Sequence, residues 1–216
     1  MTGAAPMTPC KPINCKDFEV RAILDGRKTQ ARRILKKQAA LDALTVFGPS
    51  MLLQPGCADL LPYAPGDLLW VREKWKNVAS GEVKNGYGEV RYGVAYEADN
   101  STVWRSQVCK IWDLTNQPSS GPLQFKTGPW KPSIHMPKFK SRITLEVTDV
   151  RVQRLQDISE EDAKAEGVDA VTMDDVPRQA AMSRRADFAG IWNSIHGPDA
   201  WDRNDWVAAY TFRRVE

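Results

Sequence analysis

The chain has 216 residues, of which 42% are hydrophobic and 26% are charged. These values are ordinary for a globular protein and argue against collagen, coiled coil or general disorder. Its 30 basic and 27 acidic residues leave a net charge of only +3, whereas a polyanion binder usually shows a strong basic excess or a basic stripe. No run approaches the roughly 18 apolar residues that would span a bilayer, so no membrane contact is expected.

The N-terminal half of the chain predicts a tail, a helix and a buried strand. Residues 1–12 lack the regions of a signal peptide and are expected to form the flexible tail of a cytoplasmic protein. In Asp17–Leu24 the apolar residues fall on one helical face, and Gly26 follows where such a helix would end. Residues 65–67 (PGD) predict a tight turn, and the apolar residues 68–71 predict a buried strand after it.

The C-terminal half predicts two strands and two helices. Residues 143–152 alternate between apolar and polar positions, which indicates a half-buried strand. Ser159 is the expected N-cap of a helix whose first turn is acidic, and Gly167 ends that helix. Residues 206–215 predict the last strand. A second helix is indicated by apolar side chains at i, i+3, i+4 and i+7, namely Phe188, Ile191, Trp192 and Ile195.

The order of these elements predicts the fold class. Residues 76–128 give little pattern beyond a strand over residues 90–96. Short strands between three helices are typical of an α+β fold, here with a small barrel or curled sheet as its core.

Side chains suited to metal chemistry are few. The cysteines lack the spacing of zinc ligands, so we expect reduced thiols and neither a metal nor a cofactor. His135 lies between two prolines and favours a structural role, and His196 stands at the predicted end of a helix. The cysteines are Cys10, Cys15, Cys57 and Cys109.

Aromatic rings are a second source of candidate binding residues. The helical spacing already explains Trp192 as a core residue. For Trp75, Trp104 and Trp130, which lie near charged or Pro-rich segments, the core and the wall of a ligand cleft are equally good interpretations.

Residues 27–37 contain six basic and no acidic residues. Arginine side chains in such a run could clamp phosphates. A charge run is more often a solvated face, and we favour that interpretation for Lys36 and Lys37.

Four segments of the chain carry a resemblance to a known family. They are residues 24–33 (LDGRKTQARR), 65–73 (PGDLLWVRE), 143–167 and 210–213 (YTFR). In this order they resemble the segments of ASCH domains, which are PUA-like β-barrels, and residues 130–142 resemble a subgroup common in bacteriophage genomes. The resemblance implies a single ASCH domain over residues 13–216, a small PUA-like β-barrel with flanking helices. Its enlargements would be residues 34–64, 76–128 and 168–205.

The resemblance also implies an activity. Some small bacterial ASCH proteins are amidohydrolases that remove the acyl group from N(4)-acetylcytidine and related N(4)-acylcytosine nucleosides. Their lysine follows Gly-Arg and corresponds to Lys28, their glutamate corresponds to Glu166, and their threonine corresponds to Ala31, which has no hydroxyl. A small-molecule nucleoside is therefore the expected substrate. The side chains expected to bind it are Arg27, Thr29, Arg32, Trp75 and Trp130.

The alanine at position 31 leaves three alternatives open: catalysis through a water molecule, binding without cleavage, or an inactivating change. Thr29 is a poor substitute, because on extended chain its side chain points away from the face of Lys28. With water as nucleophile, Glu166 would direct the attack and Lys28 would stabilise the developing charge. Lys28 could act as a base only if its pKa fell towards ~7–8.

Three other interpretations compete with the hydrolase. The first is a non-catalytic PUA-like binder of RNA or modified nucleotides, for which residues 27–37 predict salt-dependent binding. The second is an accessory protein of phage origin that acts through protein contacts made by its tryptophans. The third takes Lys28 and Glu166 as an ordinary surface ion pair, which typically contributes under ~1 kcal/mol.

Overall fold

The computed structural model describes residues 10–84, 87–111, 121–122, 125, 127–168 and 183–215. In chain order they contain β1 (Cys10–Asn14), α1 (Asp17–Leu24), β2 (Gln30–Ile34), α2 (Gln38–Phe47), β3 (Leu68–Arg72), β4 (Trp75–Lys84), β5 (Tyr87–Tyr96), β6 (Thr102–Ile111), β7 (Gly121–Pro122), β8 (Thr144–Arg154), α3 (Glu160–Ala165), α4 (Arg184–His196) and β9 (Trp206–Val215). None of the helices in these ranges is long and apolar enough to cross a membrane.

The chain divides into two compact units where the resemblance implied one domain over residues 13–216. The first unit comprises residues 1–13, 18–71 and 142–216, and the second comprises residues 14–17 and 72–141. The second unit therefore contains the whole of residues 76–128, which the resemblance assigned to an enlargement.

The first unit is built on a five-stranded sheet with the order β1-β3-β8-β9-β2. Its longest ladder joins β8 and β9, from Thr144 opposite Val215 to Arg154 opposite Trp206. A register shift after Val147 inserts a bulge, which lets the buried side of β8 continue at residues 150 and 152. Because β1 begins at Cys10, the predicted tail of residues 1–12 is too long by three residues, which belong to this sheet.

Helices cover the apolar core of the first unit. Phe188 and Trp192 of α4 are buried, and their ring centroids lie 5.7 Å apart. They pack with Leu155, Ala163 of α3 and Val207 of β9 in one hydrophobic cluster. This packing confirms the apolar face predicted for α4 and explains why both helices lie against the sheet.

The second unit is built on a four-stranded antiparallel sheet with the order β6-β5-β4-β7. The strands β4 and β5 pair along their full length of ten residues. Trp75 at the start of β4 is buried and forms a β-bridge with Lys131. Val94, Tyr96 and Met136 are buried in the same unit, which therefore has apolar residues of its own to enclose.

The mixture of helices and sheets confirms the α+β class. The closed barrel is not found, since the described strands form two sheets and neither closes. β1 and β2 are the two edges of the five-stranded sheet, and each has only five residues. A sheet closes into a barrel when its two edge strands pair with each other while they tilt and stagger. Edge strands of five residues are short for such a pairing.

Candidate active site

The loop between α1 and β2 places Lys28 against the end of α3. The backbone N–H groups of Arg27 and Lys28 donate to the carbonyl of Ala22, and that of Thr29 donates to the carbonyl of Ala165 at 2.8 Å. These bonds tie the loop to both helices, although α1 and α3 are more than 130 residues apart in the chain. As a result, residue 28 lies beside residue 166.

A glycine allows this close approach. Gly167 has φ of +83°, which favours glycine, and it ends α3 as the sequence predicts. A Cβ at this position would lie 3.0 Å from the Cβ atoms of both Ala22 and Lys28. The absence of a side chain at 167 therefore lets the backbone beside Glu166 pack directly on Lys28.

Lys28 and Glu166 form a buried ion pair. The Nζ of Lys28 donates to Oε2 of Glu166 at 2.7 Å and to the carbonyl oxygen of Glu166 at 3.0 Å. The Oε1 of Glu19 lies 3.4 Å from the same Nζ. Lys28 is 4% exposed and Glu166 is 9% exposed. The structure thus brings together the two side chains that the family resemblance implies for catalysis, and it buries both.

Arg32 engages the other oxygen of the same carboxylate. Its Nη1 lies 2.8 Å from Oε1 of Glu166 and 2.6 Å from Oε1 of Gln30, and its Nη2 lies 2.8 Å from Oδ2 of Asp162. Arg32 is only 1% exposed, and its guanidinium lies 5.8 Å from the ring centroid of Phe188. It is therefore a buried structural partner of Glu166, and not the open substrate ligand that the sequence suggested.

Asp162 extends these contacts towards the surface. Its Oδ1 accepts from Arg151 at 2.8 Å and from Gln30 at 3.3 Å. We call the charged members the ion network: Glu19, Lys28, Arg32, Arg151, Asp162 and Glu166. Three cations and three anions balance, which is a requirement for burying charge at tolerable cost.

The pKa values of two members follow from this geometry. Burial lowers the pKa of Lys28, but attraction to Glu166 and Glu19 outweighs burial, and the pKa is raised above its usual value. Burial raises the pKa of Asp162, but its bonds to Arg151, Arg32 and Gln30 outweigh that effect and lower it. Lys28 is therefore a cation at neutral pH, and the condition under which it would serve as a base is not met.

Ala31 lies on the other face of β2 from the network. Along the strand Gln30 and Arg32 both reach Asp162 or Glu166, so the intervening side chain points the opposite way. Ala31 is fully buried, and it stands opposite Tyr210 of β9. A hydroxyl at this position would face Tyr210, and not Lys28.

A surface depression of about 410 Å³ lies beside the buried pair. Its lining includes the residues on either side of Lys28 and the residue before Glu166. Thr29 is exposed there, in agreement with the prediction that it faces away from Lys28, and Arg27 is paired with Asp25. The lining residues are Gly26, Arg27, Thr29, Glu161, Lys164 and Ala165.

The remaining predicted binding residues belong to the second unit. Trp75 is 3% exposed, with the Nζ of Lys140 4.0 Å from its ring centroid. Trp130 is half-buried, with the Nζ of Lys76 4.5 Å from its ring centroid. Trp75 is thus a core residue of its unit, whereas Trp130 is partly exposed.

Sequence reasoning missed most partners of the two catalytic candidates. The sequence predicts Asp162 only as one acidic residue in the first turn of a helix, and Glu19 and Arg151 carry no signal. The polar residues Gln30 and Arg32, two apart on β2, are the available hint for that pair. Their partners lie about 130 residues away, and no local pattern encodes such a pairing.

The described residues contain no group of three or more His, Cys, Asp or Glu side chains placed to hold a metal ion. No disulfide joins Cys10, Cys15 and Cys57 among the described residues, and the side chain of Cys109 lies outside them. His196 stacks against Trp192 at the end of α4, with ring centroids 4.2 Å apart, as expected for a helix-end residue.

Comparisons of the chain with models of protein families, with curated proteins and with solved structures found no match. The ASCH resemblance is therefore carried by the order of the four segments alone. The fold and the site define an α+β protein with a charge-balanced ion network that is buried around Lys28, Arg32 and Glu166 and reaches the surface at Arg151.

Proposed function

We propose that the protein is an amidohydrolase that removes the acyl group from N(4)-acylcytosine nucleosides. The observation that carries the proposal is the buried pairing of Lys28 with Glu166 at 2.7 Å, with chain neighbours of both residues in the lining of a surface depression. A buried ammonium and a carboxylate are the groups that amide hydrolysis requires, one for the oxyanion and one for the proton. Their residue types and positions are those that the ASCH resemblance implies for this reaction, which we expect to occur in the cytoplasm.

In the proposed reaction, Glu166 acts as general base and Lys28 as oxyanion partner. Glu166 takes a proton from a water molecule, whose oxygen adds to the acyl carbon of the substrate. The resulting oxyanion is stabilised by the ammonium of Lys28. Collapse of this intermediate breaks the bond between the acyl carbon and N4, and Glu166 returns the proton to N4. The products are the cytosine nucleoside and the carboxylic acid.

The ion network sets a condition on this reaction. Both oxygens of Glu166 are engaged, one by Lys28 and one by Arg32. The substrate must therefore draw Lys28 away from Oε2, which frees that oxygen for water. Arg32 keeps Oε1 in place, so the carboxylate stays oriented while Oε2 accepts the proton from water. In this scheme Ala31 needs no hydroxyl, because water is the nucleophile.

The depression is lined by chain neighbours of Lys28 and Glu166 and is the place proposed for the substrate, which must displace part of this lining to reach the buried pair. Arg27 and Thr29 line it, and they are the residues proposed to bind the substrate, as the resemblance implies. A role for Trp130 in substrate binding stays a prediction, and so does the PUA-like relationship of the fold.

Turnover of N(4)-acetylcytidine, followed by the change in ultraviolet absorbance as cytidine forms, tests the proposal. Glu166→Gln is expected to lower kcat at least about 100-fold through loss of the base, and Lys28→Met by a similar factor through loss of the oxyanion partner. Lys36→Met is the matched control, since Lys36 is an exposed lysine outside the ion network, and it is expected to keep full activity.

Two results would contradict the proposal at different levels. If the chain turns over neither N(4)-acetylcytidine nor N(4)-benzoylcytidine, the function is wrong. If Lys28→Met retains activity, the function stands and the role given to Lys28 is wrong.

The alternative, a non-catalytic RNA binder, relied on the basic run of residues 27–37. In that run Arg32 is buried and Arg27 is paired with Asp25, while Lys36 and Lys37 are exposed. The solvated position expected for these two lysines is thus confirmed. The run does not present one continuous basic surface, and we favour the hydrolase.

A further inference from the structure

Positive charge is concentrated in the second unit. Residues 72–141 contain eleven basic and six acidic side chains, whereas the rest of the chain contains 19 basic and 21 acidic ones. Residues 114–141 include four basic residues and no acidic one. The small net charge of the whole chain therefore conceals a basic part, and a basic part attracts polyanions.

One face of the four-stranded sheet brings aromatic and basic side chains together. Residues directly opposite each other in antiparallel strands point to the same face, and so do residues two apart along a strand. In the register of β4, β5 and β6, Lys76 is opposite Ala95 and Gly93 is opposite Trp104. We call this surface the sheet platform; its members are Lys76, Val78, Ser80, Arg91, Gly93, Ala95, Thr102 and Trp104.

The indole of Trp104 packs against Gly93 of its neighbouring strand. A Cβ at Gly93 would lie 2.9 Å from Cε3 of the Trp104 indole, so the ring occupies the space that a side chain at 93 would fill. Trp104 is nevertheless 45% exposed. A large apolar ring held against backbone on one side and open to water on the other is a suitable base for stacking.

A second indole lies at the next row of the platform. Lys76 is two residues from Val78, which is opposite Gly93. The Nζ of Lys76 lies over the ring of Trp130, 4.5 Å from the ring centroid. From strand and residue spacings, the Cα atoms of Trp104 and Lys76 are roughly 12 Å apart. Arg91 is exposed on the same face. Trp104 and the Lys76–Trp130 pair therefore lie in different rows of the platform, so each is available to a different base.

We propose that the sheet platform binds single-stranded nucleic acid, with bases stacked on Trp104 and Trp130 and phosphates neutralised by Lys76 and Arg91. Single strands fit this surface because their bases are free to stack on protein rings, whereas those of a duplex are stacked on one another. Stacking on aromatic rings tolerates any base, so the interaction depends little on sequence and strongly on salt. This site is separate from the ion network and does not depend on the proposed hydrolase activity.

Fluorescence anisotropy with the full chain and a 5′-labelled oligo(dT) of 15 nucleotides tests the proposal, and this probe carries no acyl group. Binding is expected to weaken steeply between 50 and 200 mM salt. Trp104→Ala and Trp130→Ala are each expected to raise Kd at least about fivefold, from the loss of one stacked base. Trp104→Phe, which keeps a stacking ring, is expected to restore most of the affinity.

Two controls separate this surface from other parts of the chain. Phe139→Ala removes an aromatic ring that is exposed in the same unit but lies off the sheet, and it is expected to leave Kd unchanged. Lys36→Gln removes a charge in the basic run of residues 27–37, outside the sheet platform, and it is also expected to leave Kd unchanged. The proposal is overturned if oligo(dT) does not bind, if both tryptophan variants bind as the unmodified chain does, or if a duplex of the same length binds equally well.

Discussion

Asp162 is the residue through which the ion network meets the solvent. It accepts from Arg32 on one oxygen and from Arg151 and Gln30 on the other, and its side chain is 15% exposed. These bonds favour the charged form, which is why the pKa of Asp162 is lowered. A carboxyl whose pKa is lower in the folded state stabilises the fold at pH values above its unfolded pKa of about 3.9.

Asp162→Asn is therefore expected to lower the free energy of unfolding at pH 7 by about 2 kcal/mol, through loss of charged hydrogen bonds to two arginines. As the pH falls from 5 through the folded pKa, the unmodified chain loses this contribution and the difference between the two proteins narrows. Urea unfolding at several pH values measures both effects.

The matched control is Asp149→Asn. Asp149 is 60% exposed and lies 3.9 Å from Arg151, so its loss is expected to change the free energy of unfolding by less than about 0.5 kcal/mol. An equal effect of the two substitutions, or a gap that does not depend on pH, would show that the contacts of Asp162 contribute no pH-dependent stability.

At the scale of the element, the end of α3 decides where Glu166 lies. The helix begins at its N-cap Ser159, whose side chain accepts from the backbone N–H of Asp162 at 3.1 Å, and it ends before Gly167. Capping fixes the register of the helix. The positive φ of Gly167 then turns the chain against Lys28, so cap and glycine together set the distance between ammonium and carboxylate.

Gly167→Ala is expected to lower the free energy of unfolding by about 2–4 kcal/mol. The positive φ costs about 1–2 kcal/mol for alanine, and the new Cβ at 3.0 Å from Ala22 and Lys28 adds overpacking. Gly66→Ala is the matched control, because Gly66 has a φ of +87° and no atom within 4 Å of an added Cβ. Chemical denaturation of both variants compares the costs, and an equal loss would mean that the close approach at 167 is unimportant.

The same elements show what the sequence could predict. α1, α4 and β9 were predictable because each has clear periodicity or a clear boundary, such as Gly26 after α1. α2 was not predicted, since its apolar residues surround the helix, and Val46 and Phe47 are exposed. In the second sheet the ladder of β4 with β5 is long, but its residues alternate weakly between apolar and polar, so only residues 90–96 gave a strand signal.

The site was predictable only in part for a different reason. Lys28 and Glu166 were found through the family resemblance, whereas their burial and the pairing of Glu166 with Arg32 were not. A carboxylate that binds two cations from a distant part of the chain is a consequence of tertiary packing of β2 and the loop before it against α3. Such packing depends on long-range register, which a single sequence does not display.

At the scale of the whole molecule, the division into two units has a consequence for stability. Each unit encloses its own buried residues, such as Phe188 and Trp192 in the first and Val94 and Tyr96 in the second. A change in the ion network should therefore act on the first unit, since units with separate cores need not unfold together.

Arg32→Met tests this expectation with hydrogen exchange of the intact chain. Removing the buried guanidinium leaves Glu166 and Asp162 each without one cationic partner. It is expected to lower the free energy of unfolding of the first unit by about 3–5 kcal/mol. Amide protection in β8 and β9 should fall accordingly, while protection in β4 and β5 stays unchanged. Arg213→Met is the control, because it removes an exposed arginine paired with Glu146 on the same sheet. It is expected to leave amide protection in both sheets unchanged. An equal fall of protection in both sheets would show that the two units unfold as one cooperative body.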